Sequence, residues 1–325
     1  MNKYTYRSIL KDEIDGFVNL RKSQGLRYLC GTVMRYLDTY LVGKNVSEKN
    51  LTPNFVDSWI AECFSNLNPN TVNGYMADYI QFAKYLSTLG IDAYLPVSSG
   101  SRQSYVPYIF SKEEIKVIFE TADNIKSVVN PDGELWFPML IRLLYGCGLR
   151  LAEALSLTFS DIDLDDGVLF IKNAKGSKDR YVPMDDSLTE ILKCYCVTIL
   201  SLDQERKLLF QSNTGNRIAN NVALHWFRRV LSDAEIELLP TSSDTRVKTR
   251  NICLNCFRHT FAITSLHMQL GENTDSYRIT PLLSTYLGHN NLAGTQKYLH
   301  MTSEISENIH ADTSSYSKGL FPEVP

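Results

Sequence analysis

No stretch of this 325-residue chain reaches the ~18 uncharged apolar residues that a membrane-spanning helix needs. The nearest, "FPMLIRLLYGCGL", is interrupted by Arg142. The opening "MNKYTYRSILKDEIDG" has no apolar run after its charges, so a secretory signal is not expected. No G-x-x-x-x-G-K-[ST] loop is present, because "KGSK" lacks the first glycine and the spacing. There is no internal repeat and no low-complexity tract. An even cysteine framework is also missing. The seven cysteines are scattered over a long chain, which reads as reduced thiols of a cytoplasmic protein. Positive charge is not in excess: 33 Lys and Arg face 36 Asp and Glu, for a net charge of -3.

That balance alone argues mildly against nucleic-acid binding. Phosphates, however, respond to the local field rather than to the sum. Cations cluster in "KNAKGSKDR", "WFRRV" and "TRVKTR", while acids collect elsewhere, in "SDIDLDD" and "SDAEIE". The composition is otherwise that of a chain able to bury a core: 44% hydrophobic and 21% charged residues, with length enough for about two domains.

Residues 1–95 read as a bundle of about four helices. Leu29, Val33, Tyr36, Leu37, Tyr40 and Leu41 form one stripe, and Trp59, Ile60, Cys63 and Phe64 another. Asn70 or Thr71 could cap a further helix that carries Val72, Tyr75, Tyr79, Phe82, Tyr85 and Leu86 to Gly90. Residues 96–107 hold proline, glycine and serine without periodicity and read as a linker. A second domain follows over 108–300. It opens on the capping signature Ser111 and Glu114. "WFPMLIRLLYGCGLRLAEALSL" reads as helix, glycine turn, helix. "DDGVLFIKNAKGSKDRYVPM" reads as a β-hairpin, with Lys175 at its tip. Helices are expected in "DSLTEILKCYCVTIL", "NNVALHWFRRVLSDAEI", "CFRHTFAITSLHMQL", "TPLLSTYLGHN" and "TQKYLHMT". Residues 301–325 form a tail with a short apolar stripe.

Several polar residues stand inside apolar helical text: Arg150 with Glu153 three residues on, Arg258 between Phe257 and Phe261, Asn255 before it, then His289 and Tyr298. Arg and Lys are rarely buried without a partner. Converging, these groups would seek an anion, because a guanidinium matches phosphate oxygens with two donors. His289 and Tyr298 lie nine residues apart, on opposite faces of any single straight helix. If they share a site the chain must break between them, and "NNLAG" offers that break. Taken singly, each residue has a blander reading. Arg150 could pair with Glu153, Lys175 could be a solvated turn residue, and Tyr298 is one of 18 tyrosines. His259 is expected to face the core or brace the backbone. Cys253, Cys256 and His259 spell C-x2-C-x2-H, a hint of zinc with Cys147 or His267 as a fourth ligand. The second C-x2-C or H-x3-H of a structural zinc site is absent, so no metal is expected.

The order and spacing of these residues resemble the tyrosine recombinases, also called phage integrases, whose members include the Xer recombinases and lambda integrase. "CGLRLAE" is similar to the family's TGLRxxE, "NCFRHTFA" to HxLRHTFA, and "LGHNNLAGTQKYLH" to LGHxxxxTTxxYxH. The hairpin "KG" matches the family's lysine turn. The resemblance implies a mainly α fold with a small β-sheet: an N-terminal helical (SAM-like) core-binding bundle, then the recombinase catalytic domain. It implies a site-specific recombinase in which Tyr298 attacks a DNA phosphodiester to form a 3′-phosphotyrosine, with strand exchange through a Holliday junction. No ATP or other cofactor is implied. Arg150 and Arg258 would clamp the phosphate, Lys175 would protonate the leaving oxygen, His289 would assist, and Glu153 would orient a neighbour. Asn255 stands where the family's histidine is usual; it can donate a hydrogen bond but cannot carry a proton. The implied partners are double-stranded DNA bearing a specific site and three further protomers in a tetramer on two sites, acting alone or beside related recombinases. The tail would pack into a neighbouring protomer. Lys178, Arg180, Arg228, Arg229, Arg246, Lys248 and Arg250 are candidates for DNA contact. A type IB topoisomerase and a catalytically inactive DNA-binding relative are the alternatives.

Overall fold

The computed structural model describes residues 4–25, 31–96, 107–126, 132–172, 179–236, 252–270, 276–289, 292 and 294–299. The chain divides into two compact units, Met1–Ser104 and Tyr105–Pro325.

The first unit holds α1 (Lys11–Ser23), α2 (Gly31–Gly43), α3 (Pro53–Phe64) and α4 (Pro69–Thr88). Thr52 caps α3, its hydroxyl accepting from the Phe55 amide, and Pro53 fills the first helical position, where no amide hydrogen is needed. The cap of α4 is Asn68, two or three residues before the expected Asn70 or Thr71, again followed by a proline. Gly90, with φ of 76°, takes the chain out of α4 in the left-handed region. Val33, Leu37 and Leu41 of the expected stripe are buried against Trp59, Tyr79 and Phe82, whereas Tyr36 stays exposed and Tyr40 reaches Glu62. Each fully buried side chain of this size contributes about 1.5–3 kcal/mol. Leu29 lies outside the described residues. Asp38, itself buried, accepts from the Arg7 and Ser8 amides and from the Tyr4 hydroxyl, which pins the entering segment to α2.

The second unit runs α5 (Lys112–Asn124), α6 (Asp132–Gly146), α7 (Leu151–Ala154), β1 (Ile162–Asp163), β2 (Val168–Ile171), β3 (Arg180–Pro183), α8 (Asp186–Leu202), α9 (Asn220–Asp233), α10 (Asn255–Leu270) and α11 (Ser276–Leu287), with one more helical stretch at 294–299. Ser111 and Glu114 form the expected reciprocal capping box at α5. The apolar helix α6 is the centre of the core, burying Phe137, Leu140, Ile141 and Leu144 beneath α5, α8, α9 and α10. Arg142, the charge that interrupts it, is buried in a two-pronged pair with Asp123 and lies over the Phe119 ring.

The hairpin β2–β3 gains the short strand β1, giving an antiparallel sheet in the order β1-β2-β3. Register Leu169↔Val182 and Ile171↔Arg180 sends those four side chains to the core face. Phe170 and Tyr181 stack on the outer face. Helix α11 begins at Ser276, a turn before the expected start, and keeps Pro281 in its interior. Ile279, Leu283 and Leu287 are buried at spacings of four in one cluster, and this tertiary burial outweighs the helix-breaking tendency of proline.

Candidate active site

The end of α11 organises the site. The carbonyls of Ser284 and Thr285 are taken by the amides of His289 and Gly288, closing the helix with Gly288 at φ of 64°. Among the described residues the next three carbonyls have no helical partner, and each receives a different arginine. Arg180 Nε donates to the Tyr286 carbonyl at 2.7 Å. Arg258 Nη2 donates to Leu287 at 2.6 Å, and Arg150 Nη2 to Gly288 at 2.7 Å. Helix C-terminal carbonyls are orphan acceptors at the negative end of the helix dipole, so cations belong there. The chain therefore breaks at Gly288, before "NNLAG". A Cβ on that glycine would come within 2.8 Å of Arg180 Nη1. Asn290, Asn291 and Ala293 lie outside the described residues.

A second glycine completes the clasp. Gly148, at φ of 57°, turns its carbonyl to Arg258 Nη1 at 2.7 Å. A Cβ there would lie 2.4 Å from the Phe261 ring. Burial, with Arg150 beside it, lowers the Arg258 guanidinium to about 10, which still leaves it charged at neutral pH. Glu153 ties the cations together behind the cleft. It accepts from Arg150 Nη1 at 2.7 Å and from both Arg180 terminal nitrogens at 3.2 and 2.9 Å. It also accepts from the Arg150 amide at 3.0 Å, so it caps α7. Burial alone would disfavour its charge, but the hydrogen bonds from Arg180 and Arg150 outweigh that and hold the carboxyl below its ordinary value.

Tyr298 sits on the helical stretch 294–299, its ring packed with Ala262, Ile263 and Leu283. It is 4% exposed, and its hydroxyl lies 2.8 Å from His259 Nδ1. Burial raises its phenol above the ordinary value even though Arg258 and Arg150 pull the other way. Nearby cations thus do not by themselves make a phenolate here. His289 stacks on Tyr298 with centroids 6.3 Å apart and planes 23° from parallel. Its Nδ1 bonds the buried Thr295 hydroxyl at 2.7 Å. Burial, then Arg258 and Arg150, push His289 down to about 4, so it is neutral at pH 7.

These groups border one cleft of about 500 Å³, lined by Arg150, Asn255, Arg258, His259, His289, Lys297 and Tyr298. Asn255 opens α10 and is exposed. Residues 255, 258 and 259 share a face because helix positions three and four apart are neighbours. That spacing could have revealed His259, which was expected to face the core or brace the backbone and instead faces the cleft. Thr295 carried no sequence signal beyond its place in the motif.

Two of the candidate DNA contacts already hold partners within the protein. Arg180 is buried, its guanidinium taken up by Glu153 and the Tyr286 carbonyl. Strand alternation explains this, since Arg180 lies on the same face as the buried Val182. Arg229 is bound to the Lys126 carbonyl, pairs with Asp233 and stacks on Trp226. Arg228 is exposed. Lys175, Lys178, Arg246, Lys248, Arg250 and the tail 301–325 lie outside the described residues. The Cys253 and Cys256 sulfurs are 3.7 Å apart, but His259 turns to Tyr298. Among the described residues no three His, Cys, Asp or Glu side chains group as a metal site.

The cleft is cationic at its floor, and its two guanidiniums are fixed by backbone carbonyls before any ligand arrives. Arg258→Lys should therefore be far from conservative. A lysine cannot serve both Gly148 and Leu287 and still face a ligand. If the ligand is the DNA phosphodiester that the sequence motifs imply, its reaction should fall about 10²–10³-fold, the typical cost of one preorganised donor, with DNA affinity little changed. Single-turnover cleavage beside a binding isotherm measures both.

A family model described as the phage integrase family matches residues 109–304. The chain is 29% identical over 215 residues to the tyrosine recombinase XerC of Listeria welshimeri, covering 64% of this chain and 62% of that relative, which is under two thirds of its length. It is 26% identical over 311 residues to the tyrosine recombinase XerD of Vibrio cholerae, covering 86% of this chain and 95% of the other. Its fold is similar to that of a lambda integrase tetramer bound to a Holliday junction, with TM-score 0.61 at 13% identity, covering 90% of this chain and 78% of that one. The matched segment takes in more than half of the sequence and every residue of the clasp between α7, β3, α10 and α11. The chain belongs to the phage integrase family.

Proposed function

We propose that this protein is a site-specific DNA recombinase that works through a covalent phosphotyrosine. The observation that carries this reading is the Tyr298 hydroxyl, held in a cleft with two guanidiniums clamped on backbone carbonyls. Arg150 and Arg258 bind the non-bridging oxygens of a DNA phosphodiester. Neutral His289, with Nδ1 engaged by Thr295, is free to present its other ring nitrogen to the same oxygens. Tyr298 attacks phosphorus in line, the P–O5′ bond breaks, and Lys175 supplies the proton to the leaving 5′-oxygen. The 3′-phosphotyrosine keeps the bond energy, so a second 5′-hydroxyl can rejoin the strand without ATP. The arginines count because charge grows on the phosphoryl oxygens in the transition state, where fixed donors act most strongly.

The assembly that follows from this reading is a homotetramer on two DNA sites, exchanging strands through a Holliday junction. The XerC and XerD names of its relatives and the tetramer in the lambda integrase structure support it. The helical unit formed by residues 1–104 grips DNA, and residues 301–325 join neighbouring protomers. Such DNA work places the protein in the cytoplasm. Binding should weaken steeply with salt, since phosphate contacts release counterions.

The test is to trap covalent protein–DNA adducts in cells that express the chain and to sequence the attached DNA. Adducts at one discrete sequence are expected. Adducts scattered over all sequences would replace recombinase with topoisomerase-like chemistry. DNA binding without any adduct would make this an inactive relative.

A further inference from the structure

Resting on the recombinase reading, we propose that His259 is the general base that takes the phenolic proton of Tyr298. The geometry carries the inference. His259 Nδ1 lies 2.8 Å from the Tyr298 hydroxyl, within reach of direct proton transfer. The ring centroids are 5.7 Å apart at 51°, so the imidazole meets the phenol at its oxygen end rather than on its face. Residue 255, one helical turn earlier on the same face, is an asparagine and cannot accept a proton at neutral pH.

The tyrosine needs such help. Its ring is enclosed by apolar side chains, and burial holds its proton more firmly than in water. Other acceptors among the described residues are committed elsewhere. His289 lies against the Tyr298 ring face, with Nδ1 on Thr295. Glu153 is bound by Arg150 and Arg180 behind the cleft. Lys297 is a cation. The charged and titratable groups that line the cleft with His259 are Arg258 on its own helix, Arg150 at the start of α7, and His289, Lys297 and Tyr298 beyond α11. The three cations bordering the cleft (Arg150, Arg258 and Lys297) draw the phenol's electrons toward phosphorus once its proton has left.

The step balances. The Tyr298 proton moves to His259 Nδ1 as the tyrosyl O–P bond forms. The P–O5′ bond breaks, and the 5′-oxygen takes a proton from Lys175. On rejoining, an incoming 5′-hydroxyl gives its proton up at the lysine, and His259 returns its own to Tyr298. No oxidant or further reactant enters. His259 must therefore rest as the tautomer with a bare Nδ1, accepting from the tyrosine hydroxyl.

The experiment is single-turnover adduct formation on a duplex built from the sequence recovered in adduct trapping. One version has the natural scissile phosphate, and one has sulfur in place of the bridging 5′-oxygen. A thiolate leaves without a proton, so the sulfur duplex reports on the nucleophile alone. His259→Gln is expected to lose about 10²–10⁴-fold on both duplexes, the usual worth of a general base, with DNA affinity unchanged. In the wild type the rate should rise with pH and level off once the base is neutral. In the variant that plateau should vanish, and the rate should climb with hydroxide. Imidazole in the buffer should restore part of the rate to His259→Ala. A loss confined to the oxygen duplex, or no loss, overturns the proposal. If the variants do not fold, ¹⁵N spectra of wild-type histidine decide it: a bare Nδ1 is expected, and a protonated Nδ1 overturns the role. Wild-type protein that forms no adduct on any DNA overturns the recombinase reading itself, which is a different result from an adduct that His259→Gln still forms at full speed.

Discussion

Tyr298→Phe protein should bind DNA like the wild type and leave none of it covalently attached. The substitution removes one oxygen. The ring stays packed with Ala262, Ile263, Leu283 and Leu287, so the apolar cluster keeps its volume. The hydroxyl's bonds with His259 and Arg258 are lost, which costs on the order of 1 kcal/mol each and does not threaten the fold. On the proposed mechanism the phosphate grip resides in Arg150 and Arg258, whose carbonyl clasps do not involve Tyr298. Chemistry, by contrast, loses its nucleophile. Adduct formation should fall at least about 10⁴-fold, as when other enzymes lose theirs, and in practice below detection. Denaturing gels of protein mixed with labelled duplex read the adduct, and filter binding reads affinity. A Phe variant that still forms an adduct would move the nucleophile to another residue.

Glu153→Ala should destabilise the second unit by about 3–5 kcal/mol, the usual cost of stranding a buried charge. Both partners of the Glu153–Arg180 pair are nearly inaccessible, with side chains 5% and 7% exposed. Without the carboxylate, the bond of Arg180 that remains among the described residues is to the Tyr286 carbonyl, and α7 loses its cap at the Arg150 amide. Urea unfolding gives the loss directly. Replacing both members by apolar residues, Glu153→Leu with Arg180→Met, should recover much of the stability because no unpaired charge remains. Cleavage should not recover, since Arg150 would still lack the carboxylate that aims it. Stability and cleavage restored together would show that Glu153 has no orienting role.

The same pair makes stability depend on acid. The folded carboxyl of Glu153 is held below its unfolded value, so its contribution is complete above the unfolded pKa of about 4.3. That contribution is lost as pH falls through the folded value. The gap between wild type and Glu153→Ala should therefore narrow in acid, and urea midpoints from neutral pH downward would trace it.

Much of the secondary structure was legible because it is written locally. The stripe Val33, Leu37, Leu41 and the Ser111–Glu114 capping box need only neighbours a few residues away. So does the pairing of β2 with β3. Where a local rule met a tertiary demand, the demand prevailed. Pro281 should have opened α11, yet buried Ile279 draws the helix back past it.

The sequence by itself determined the helical periods, the glycine turns and the residue types of the cleft, because chain geometry repeats over short distances. It also held, unread, two periodic clues: Arg180 two residues before buried Val182, and His259 four after Asn255. Only the tertiary structure decided which charges meet. Arg180, Arg258 and Arg150 converge on three successive carbonyls at the end of α11, from up to 138 residues away. Only the folded chain decided the balance at Tyr298 as well, where desolvation outweighs two cations. Burial depends on every element packed around a group, and no stretch of sequence contains that sum.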